Sequence, residues 1–438
     1  MMTWWVTLLL LGGLLAVLFA IGMPVALAFL GANIVGAWLF LGGESGLEQL
    51  IRNASMSVNS FALAPIPLFV LMGELLFHCG LAYRAIDAIE KLLVRLPARL
   101  ACVSVVGGTA FAALSGSSIA NTALLGGTLS QEMMKRGYST TLSLGPVMAV
   151  GGIAVLIPPS TLAVMLGSLS GISISELLIG GIMPGVLMAG LFLAFVVFVG
   201  LFVRASAPRE ALDAIPPLGQ RIWPFMRDVV PLFGIFVAVI GGMLAGIATP
   251  TEAAALGVLG AFIATLAYRS FTFASFAKAM TETAKISVAI LFIIVASTTF
   301  SQILSFSGAT TGLIHLVTSA DLPPMALVLA MLAVLLVLGC FIDQISMMMI
   351  TLPLFIPLAK AAGIDLVWLG LMMLVAIELG LLTPPFGILL MVMQGVAPST
   401  PLTKIYRAAV PFILIELLVL MVMILAPQLT LYLPSLIR

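Results

Sequence analysis

The sequence is poor in charged residues, which make up 8% of its 438 positions, against roughly 25% in an ordinary soluble domain. Hydrophobic residues make up 62%. A chain of this composition cannot cover its outside with charged side chains, so water is excluded as its main solvent. We therefore predict an integral membrane protein whose surroundings are membrane lipids.

Cysteine and histidine are also scarce. The three cysteines, Cys79, Cys102 and Cys340, are scattered through separate apolar stretches, and the only histidines are His78 and His315. This pattern excludes a disulfide framework and a clustered transition-metal centre. We expect no enzyme activity and no cofactor.

Several functional motifs are missing. No Gly-x-x-x-x-Gly-Lys-Ser/Thr sequence occurs, so the chain cannot itself hydrolyse ATP. There is no serine nucleophile elbow, and no basic stripe with interleaved aromatics that would indicate a nucleic-acid partner. The start, Met-Met-Thr-Trp-Trp, lacks the positive region of a cleavable signal peptide, so the first apolar run is expected to remain as a span.

Long apolar runs are what the chain does contain, and runs of about 17–25 residues can cross a bilayer as helices. The first half has uninterrupted runs at 4–20, 24–41, 62–80 and 178–203, and the second half has them at 229–248, 251–268, 286–305 and 408–430. A linker at 204–227, rich in proline and charge, separates the halves.

Other stretches are polar or interrupted. Segments 44–57 and 271–286 are polar and amphipathic, which predicts helices along the membrane surface, although a solvated loop fits the first as well. Two further blocks in each half are broken by polar residues or prolines. They predict re-entrant hairpins at 101–136 and 323–360, and proline-broken helices at 141–168 and 367–394.

The two halves repeat one plan. Five pairs of residues share a spacing of 226: Pro24 with Pro250, Pro97 with Pro323, Pro158 with Pro384, Pro159 with Pro385, and Gly31 with Gly257. Because the order of spans and breaks agrees as well, an internal duplication is the better interpretation of this spacing. Accidental alignment of two unrelated bundles is the alternative.

Positive charge gives the halves a direction. With the amphipathic stretch 83–99 in the cytoplasm, 15 of the 18 Lys and Arg residues lie inside, leaving Arg52, Lys360 and Arg438 outside. Each half then makes five crossings, so the halves are inverted and both termini are periplasmic. The predicted fold is an all-α polytopic membrane protein of two inverted repeats, residues 1–220 and 221–438.

The breaks are the candidate functional sites, because non-helical backbone at bilayer depth survives only where protein or a water-filled cavity satisfies it. In transporters such breaks supply oxygen ligands for Na⁺. The oxygen-bearing candidates are Ser115, Ser117, Ser118 and Asn121 at the first hairpin tip, Asp343, Gln344 and Ser346 at the second, and Thr383 with the carbonyls of the two Pro-Pro breaks.

Structural alternatives exist for each break. Small residues also mediate helix packing, a Pro-Pro pair also kinks a helix, and Asp343 could be a structural aspartate. Glu378 is a second candidate acid, whereas Glu74 and Glu416 are proton carriers or interhelical hydrogen-bonding groups, more readily the latter. Since no Lys or Arg lies within a predicted span, an anionic substrate would be held by helix N-termini, amides and hydroxyls.

Four motifs together carry a family resemblance: Ala-Leu-Ser-Gly-Ser-Ser-Ile-Ala-Asn at 113–121, Ile-Pro-Pro-Ser at 157–160, Gly-Ile-Ala-Thr-Pro-Thr-Glu-Ala-Ala at 246–254, and Leu-Thr-Pro-Pro-Phe-Gly at 382–387. Over essentially its whole length, the chain resembles the large membrane subunit of TRAP (tripartite ATP-independent periplasmic) transporters in its unfused form.

The resemblance implies a bacterial inner-membrane carrier coupled to Na⁺. Its implied partners are a small four-helix membrane subunit (Q type) and a periplasmic binding protein (P type) that delivers an organic acid. It also implies an elevator motion, in which residues 101–168 and 323–394 move as one transport domain against the remaining scaffold.

The resemblance also implies residue roles. The implied sodium-binding residues are Ser115, Gly116, Ser117, Ser118, Asn121, Pro158, Gly339, Asp343, Thr383 and Pro384. The implied substrate-binding residues, between the two tips, are Ser117, Asn121, Ser160, Gln344, Ser346, Pro385 and Gly387. A standalone Na⁺/carboxylate symporter and a channel or structural subunit are the competing hypotheses, and the sequence does not separate one organic acid from another.

Overall fold

The fold was analysed in a computed structural model that describes residues 3–203, 206–208, 217–320 and 322–437, with the backbone alone at 113–115. Within these ranges the chain is helical, with no strand. In the described part of the chain, six helices are long and apolar enough to cross a membrane, or up to eight if each of two bent pairs is one span. The prediction of an all-α, multi-pass membrane protein is confirmed.

The described residues before the linker form twelve α-helices. They are α1 (Trp4–Ala20), α2 (Val25–Phe40), α3 (Glu44–Val58), α4 (Pro65–His78), α5 (Leu81–Leu92), α6 (Arg99–Ser115), α7 (Ser118–Leu125), α8 (Gln131–Lys135), α9 (Thr140–Leu156), α10 (Thr161–Ser170), α11 (Ile174–Gly180) and α12 (Ile182–Phe202). A π-helical turn at Gly126–Ser130 joins α7 to α8, so residues 118–135 form one helical stretch.

Eleven α-helices follow among the residues that the structure describes in the second half. They are α13 (Leu218–Asp228), α14 (Val230–Leu244), α15 (Pro250–Ala267), α16 (Phe273–Phe306), α17 (Ala309–Ser319), α18 (Pro324–Gly339), α19 (Gln344–Ala361), α20 (Leu366–Leu382), α21 (Ile388–Val396), α22 (Leu402–Leu425) and α23 (Gln428–Ser435).

The helix bounds repeat at the spacing found in the sequence. Adding 226 to the bounds of α9 gives the bounds of α20, and adding it to the stretch 118–135 gives those of α19. Both halves therefore hold a helix–turn–helix unit followed by a broken helix, at the same register. This agreement supports the internal duplication, whereas the inversion stays a prediction.

The two amphipathic stretches differ in the structure. The first is a helix, α3, which excludes the solvated loop. The second is not a separate surface helix, because α16 continues without a break from Phe273 to Phe306. The reason is that this stretch contains neither glycine nor proline, so nothing stops a helix of 34 residues, about 51 Å long at 1.5 Å per residue.

The linker also differs from its prediction. Residues 209–216 lie outside the described residues, but 218–228 form α13, which is bent by 40° against α14. Arg221 of α13 is buried and donates hydrogen bonds to the carbonyls of Lys91 (3.4 Å) and Leu92 (2.7 Å). Because the last carbonyls of a helix have no partner within it, this arginine joins α13 to the end of α5.

The most deeply buried elements are α9 and α20. Every residue of α9 from Leu142 onward is buried, as is every residue of α20 from Val367 onward. Helices α7, α12 and α22 pack along α9, and α18 and α19 pack along α20. The contact between α9 and α20 therefore lies at the centre of the molecule, and each of these helices ends at the Pro-Pro break of its own half.

Candidate ion and substrate site

The first hairpin tip lies directly against the first break. Gly116 ends α6 in the left-handed conformation (φ 60°), which a residue with a side chain rarely adopts. A Cβ built on Gly116 would lie 2.6 Å from the carbonyl oxygen of Pro159. The turn therefore needs glycine twice over, for its φ and for its approach to the Pro158-Pro159 break.

The side chains of this tip point into the protein. Ser117 caps α7 by accepting a hydrogen bond from the Ala120 amide (3.3 Å), and the Ser118 hydroxyl donates to the carbonyl of Gly151 (3.0 Å). The Ser115 side chain lies outside the described residues.

Asn121, at the first tip, has a hydrogen-bond partner for its side-chain nitrogen but none for its side-chain oxygen among the described residues. Its side chain is fully buried and donates from Nδ2 to the carbonyl of Gly108 (3.3 Å). Its Oδ1 has no hydrogen-bond partner among the described residues. Leaving a buried acceptor unpaired costs about 1–3 kcal/mol, so this oxygen is available to a cation or a water molecule.

The first break is closed over by protein. Pro158, Pro159 and Ser160 are all buried, and the helix axis turns by 41° between α9 and α10. The Ser160 hydroxyl accepts a hydrogen bond from the Ala163 amide (3.2 Å) and so caps α10. The residues on either side of Ser160, Pro159 and Thr161, lie against the Gly116 turn.

At the second tip, Asp343 has a structural role. Its carboxylate accepts hydrogen bonds from the amides of Ile345 (3.0 Å) and Ser346 (3.1 Å), and from the Ser346 hydroxyl. This is the N-cap of α19. A carboxylate has about four lone-pair sites. A cation bound to Asp343 would therefore share the carboxylate with the three hydrogen bonds of the cap.

The second break is held to its tip by backbone contacts. The Phe386 amide donates to the carbonyl of Cys340 (3.3 Å), and Gly339 touches Gly380 closely enough that a Cβ on Gly339 would lie 2.5 Å from the Gly380 Cα. Pro384 is half-buried and Pro385 is exposed, in contrast to the buried prolines of the first break. The second break is therefore the more accessible of the two.

Two carbonyls of the second break converge on Gly387. A Cβ built there would lie 2.4 Å from the Leu381 oxygen and 2.9 Å from the Thr383 oxygen. The Thr383 hydroxyl donates back to the Leu379 carbonyl (2.7 Å) and keeps its lone pairs free. This concentration of oxygen atoms suits a hard cation such as Na⁺.

The two tips meet at Glu378 of α20. Gln344, the first residue of α19, donates a hydrogen bond from Nε2 to its carboxylate, and Ser118, the first residue of α7, lies within hydrogen-bonding range of it. The structure thus brings Ser118 and Gln344, one predicted residue from each tip, to one acid that the sequence offered only as a second candidate.

Sequence reasoning missed the partners of these residues. Gly151 and Gly152 of α9 make room for the buried acids, and Tyr406 donates from its hydroxyl to the carbonyl of Pro385 (2.6 Å). Gly152 had a signal, since it lies 226 residues before Glu378. No three His, Cys, Asp or Glu side chains come together as a metal site in the part of the chain that the structure describes.

Known proteins are similar to this chain over nearly its full length. The sequence profile of the tripartite ATP-independent periplasmic transporter, DctM component, matches residues 12–429. The C4-dicarboxylate TRAP transporter large permease protein DctM of Pseudomonas aeruginosa is 33% identical over 406 residues, which cover 90% of this chain and 93% of that protein.

Two further relatives and one solved structure agree. The 2,3-diketo-L-gulonate TRAP transporter large permease protein YiaN of Escherichia coli is 32% identical, with 96% of each chain covered. The ectoine TRAP transporter large permease protein TeaC of Halomonas elongata is 29% identical, with 96% and 97% covered. The YdaH transporter of Alcanivorax borkumensis shares the fold alone, with a TM-score of 0.56 and 16% identity over 91% of this chain and 96% of that one. The predicted family is confirmed: this chain belongs to the DctM component, the large permease, of tripartite ATP-independent periplasmic transporters.

Proposed function

We propose that this permease imports a small organic acid by coupling its movement to Na⁺, in the bacterial inner membrane. Its partners are a small four-helix membrane subunit and a periplasmic binding protein that delivers the acid. The observation that carries the proposal is the packing of each hairpin tip onto the break of its own half, through Gly116 and Pro159 in one and Gly339 and Gly380 in the other.

The chemistry of both contacts fits Na⁺. The candidate ligands named at these contacts are oxygens of hydroxyls, an amide, a carboxylate and carbonyls, and hard cations prefer such ligands. The unpaired, buried Oδ1 of Asn121 offers one ligand at the first tip. The carbonyls of Leu381 and Thr383, which converge beside Gly387, offer two at the second.

The same surroundings suit an anion between the tips. Helices α7, α10 and α21 begin at the tip or break, and a helix N-terminus carries partial positive charge. Ser117 and Ser160 already cap two of these helices, whereas the N-cap residue of α21 is Gly387, which has no side chain to cap it. The predicted substrate residues Ser117, Asn121, Ser160, Gln344, Ser346, Pro385 and Gly387 lie along these tips and breaks. The organic acid is named only as a class, because the relatives' names give C4-dicarboxylate, 2,3-diketo-L-gulonate and ectoine.

We propose that residues 101–168 and 323–394 move together as the transport domain of an elevator. Support comes from the direct packing of α9 on α20, which joins the two sets. Helix α22 packs on α9 as well, where a Cβ on Gly145 would lie 2.3 Å from the Phe412 ring. We therefore expect α22 to travel with the transport domain. The asymmetry of Lys and Arg supports periplasmic termini.

Uptake into proteoliposomes tests the function. The permease is reconstituted with its small subunit, and uptake of a radiolabelled C4-dicarboxylate, 2,3-diketo-L-gulonate or ectoine is measured with and without the binding protein and a Na⁺ gradient. We expect uptake only when all of these components are present. Uptake without the binding protein would establish the standalone symporter, and uptake indifferent to Na⁺ would favour a channel.

A further inference from the structure

Glu378 has an unusual position for a carboxylate. It is 2% exposed, in the middle of α20, and no Lys or Arg side chain forms an ion pair with it among the described residues. One of its oxygens accepts the hydrogen bond from Gln344, and the other, Oε1, lies near the Ser118 hydroxyl, which donates instead to the Gly151 carbonyl. Burying a carboxylate with so few hydrogen bonds destabilises the fold. Packing alone therefore does not explain why an acid occupies this position.

The repeat explains its two neighbours. Ser118 and Gln344 are 226 residues apart and are the first residues of α7 and α19, so they occupy equivalent positions in the two halves. Gly152 and Glu378 are equivalent in the same way. The halves thus supply one carboxylate and one glycine at the place where they meet, and the carboxylate contacts both equivalent tip residues.

The glycines of α9 make this arrangement possible. A Cβ on Gly151 would lie 3.1 Å from Glu378 Oε1, and a Cβ on Gly152 would lie 3.4 Å from its Cγ. A side chain at Gly151 would crowd both the carboxylate and the Cβ of Ser118, each at 3.1 Å. A side chain at Gly152 would meet Glu416 Oε1 at 2.9 Å.

Ser118 can change its partner at this point. Its hydroxyl has one hydrogen to donate, and it has two acceptors in reach, the Gly151 carbonyl at 3.0 Å and the Glu378 carboxylate. Rotation of the hydroxyl therefore exchanges a contact within the first half for one that joins the halves. Gln344 engages the other oxygen of the same carboxylate.

We propose that Glu378 is a positioning residue that couples the two tips, so that a cation bound at one tip favours binding at the other. The proposal rests on the Na⁺-coupled function proposed above. A cation at the first tip fixes the start of α7 and turns the Ser118 hydroxyl to Glu378. The carboxylate is then held in the orientation that Gln344 requires, which orders the start of α19 beside the second site. Glu378 touches neither cation in this account.

Other charged groups do not take this role. Helices α9 and α12 contain no titratable residue. The other acid beside Gly152 is Glu416 of α22, which is 1% exposed and has no hydrogen-bond partner on either oxygen. No hydrogen bond connects Glu416 to a tip within the described residues, so it is a matched control of equal burial.

The test is equilibrium binding of radioactive Na⁺ to the full chain purified in detergent, for wild type and for Glu378→Leu, Glu378→Gln and Glu416→Gln. We expect a Hill coefficient between 1.5 and 2 for wild type, on the order of the two coupled sites. Glu378→Leu keeps the volume but removes the hydrogen bonds, so its coefficient should fall to about 1. Glu378→Gln leaves one acceptor oxygen for two donors, so its coefficient should also fall, whereas Glu416→Gln should retain cooperativity.

Each result has a defined meaning. Gln344→Leu removes the contact from the second tip alone and should also bring the coefficient to about 1, which keeps the test open if Glu378→Leu does not fold. Unchanged cooperativity in Glu378→Leu or in Gln344→Leu overturns the proposal, and so does equal loss in Glu416→Gln. A wild type that binds Na⁺ without cooperativity overturns it and leaves the Na⁺-coupled function standing. Absence of saturable Na⁺ binding by wild type is the failure of the proposed function itself.

Discussion

Gly339 and Gly380 touch backbone to backbone, since a Cβ on either residue would lie 2.5 Å from the Cα of the other. This contact joins the end of α18 to α20 two residues after Glu378 and three before Thr383. Small residues let helices approach this closely inside a membrane. The second tip can therefore pack against its break only because neither Gly339 nor Gly380 has a side chain.

We expect Gly339→Ala to separate α18 from α20. The added methyl group meets backbone, which cannot turn aside, so the free energy of unfolding should fall by about 1–3 kcal/mol. The measurement is thermal unfolding of the purified variant. Gly234→Ala is the control, because nothing lies within 4 Å of a Cβ at Gly234 in α14. There we expect a gain of roughly 0.5–1 kcal/mol from helix propensity, and equal behaviour of the two variants would contradict this role of the contact.

Gly116→Ala should weaken Na⁺ binding at the first tip. The substitution strains a φ of +60° and places a methyl group 2.6 Å from the Pro159 oxygen, a predicted cation neighbour. Gly171→Ala separates the two effects, because Gly171 has a φ of +72° with nothing within 4 Å. Na⁺ titrations of both variants are compared. The Na⁺ concentration at half saturation should rise at least about tenfold in Gly116→Ala, which corresponds to 1.4 kcal/mol, and stay near wild type in Gly171→Ala.

The positions of the helix–turn–helix units and of the broken helices could be predicted from the sequence, because Gly116, Pro158 and Pro384 interrupt long apolar runs at points where a regular helix cannot continue. The repeat at 226 residues came from the same prolines. The same spacing relates Ser118 to Gln344 and Gly152 to Glu378. These two pairs become informative only because α9 and α20 are in contact.

Other features depend on tertiary contacts that no local pattern carries. Amphipathic composition predicted a surface helix at 271–286, but in the absence of a glycine or proline the helix continued through α16. The charged linker concealed α13, whose place depends on Arg221 reaching carbonyls about 130 residues away. The cap role of Asp343 is local, yet an acid near the middle of the membrane favours a functional interpretation over a cap.

Asn121→Leu should lower Na⁺ affinity through the loss of a ligand oxygen. We expect at least about a tenfold rise in the Na⁺ concentration at half saturation, because a contact to a charged partner contributes about 1.5–3 kcal/mol. Asn33 is a close match elsewhere, buried to 1% exposure, with Nδ2 bonded to the Ala296 carbonyl (2.7 Å) and Oδ1 unpaired. Asn33→Leu should change stability to a similar extent and leave the Na⁺ titration unaltered. The same loss of affinity in both variants would contradict a specific role for Asn121.

Arg221→Leu should loosen α13 from α5. Two carbonyls, those of Lys91 and Leu92, lose their donor, so the free energy of unfolding should fall by about 1–3 kcal/mol. Arg221→Lys should not restore it, because an ammonium group lacks the planar fork that reaches both oxygens. Arg52→Leu is the control, since this residue is exposed and lies 3.9 Å from Glu48, and its effect should stay within about 0.5 kcal/mol. Thermal unfolding of the three variants decides the matter.

Thr383→Val tests the second site with the smallest change, because it removes the hydroxyl and nearly preserves the shape. The hydroxyl donates to the Leu379 carbonyl (2.7 Å) and directs its lone pairs away from that bond. If those lone pairs bind Na⁺, the concentration at half saturation should rise at least about tenfold.

Thr351→Val is the matched control for this experiment. Thr351 donates to the Met347 carbonyl at the same 2.7 Å, one helical turn back, but lies inside α19 and away from the break. Both substitutions remove one hydrogen bond of the same kind, so their effects on thermal unfolding should agree to within about 1 kcal/mol. If the two variants differ only in the Na⁺ titration, the difference reflects the loss of a Na⁺ ligand and not a loss of stability. Unaltered Na⁺ dependence in Thr383→Val would remove Thr383 from the site and favour a channel or structural subunit over a coupled carrier.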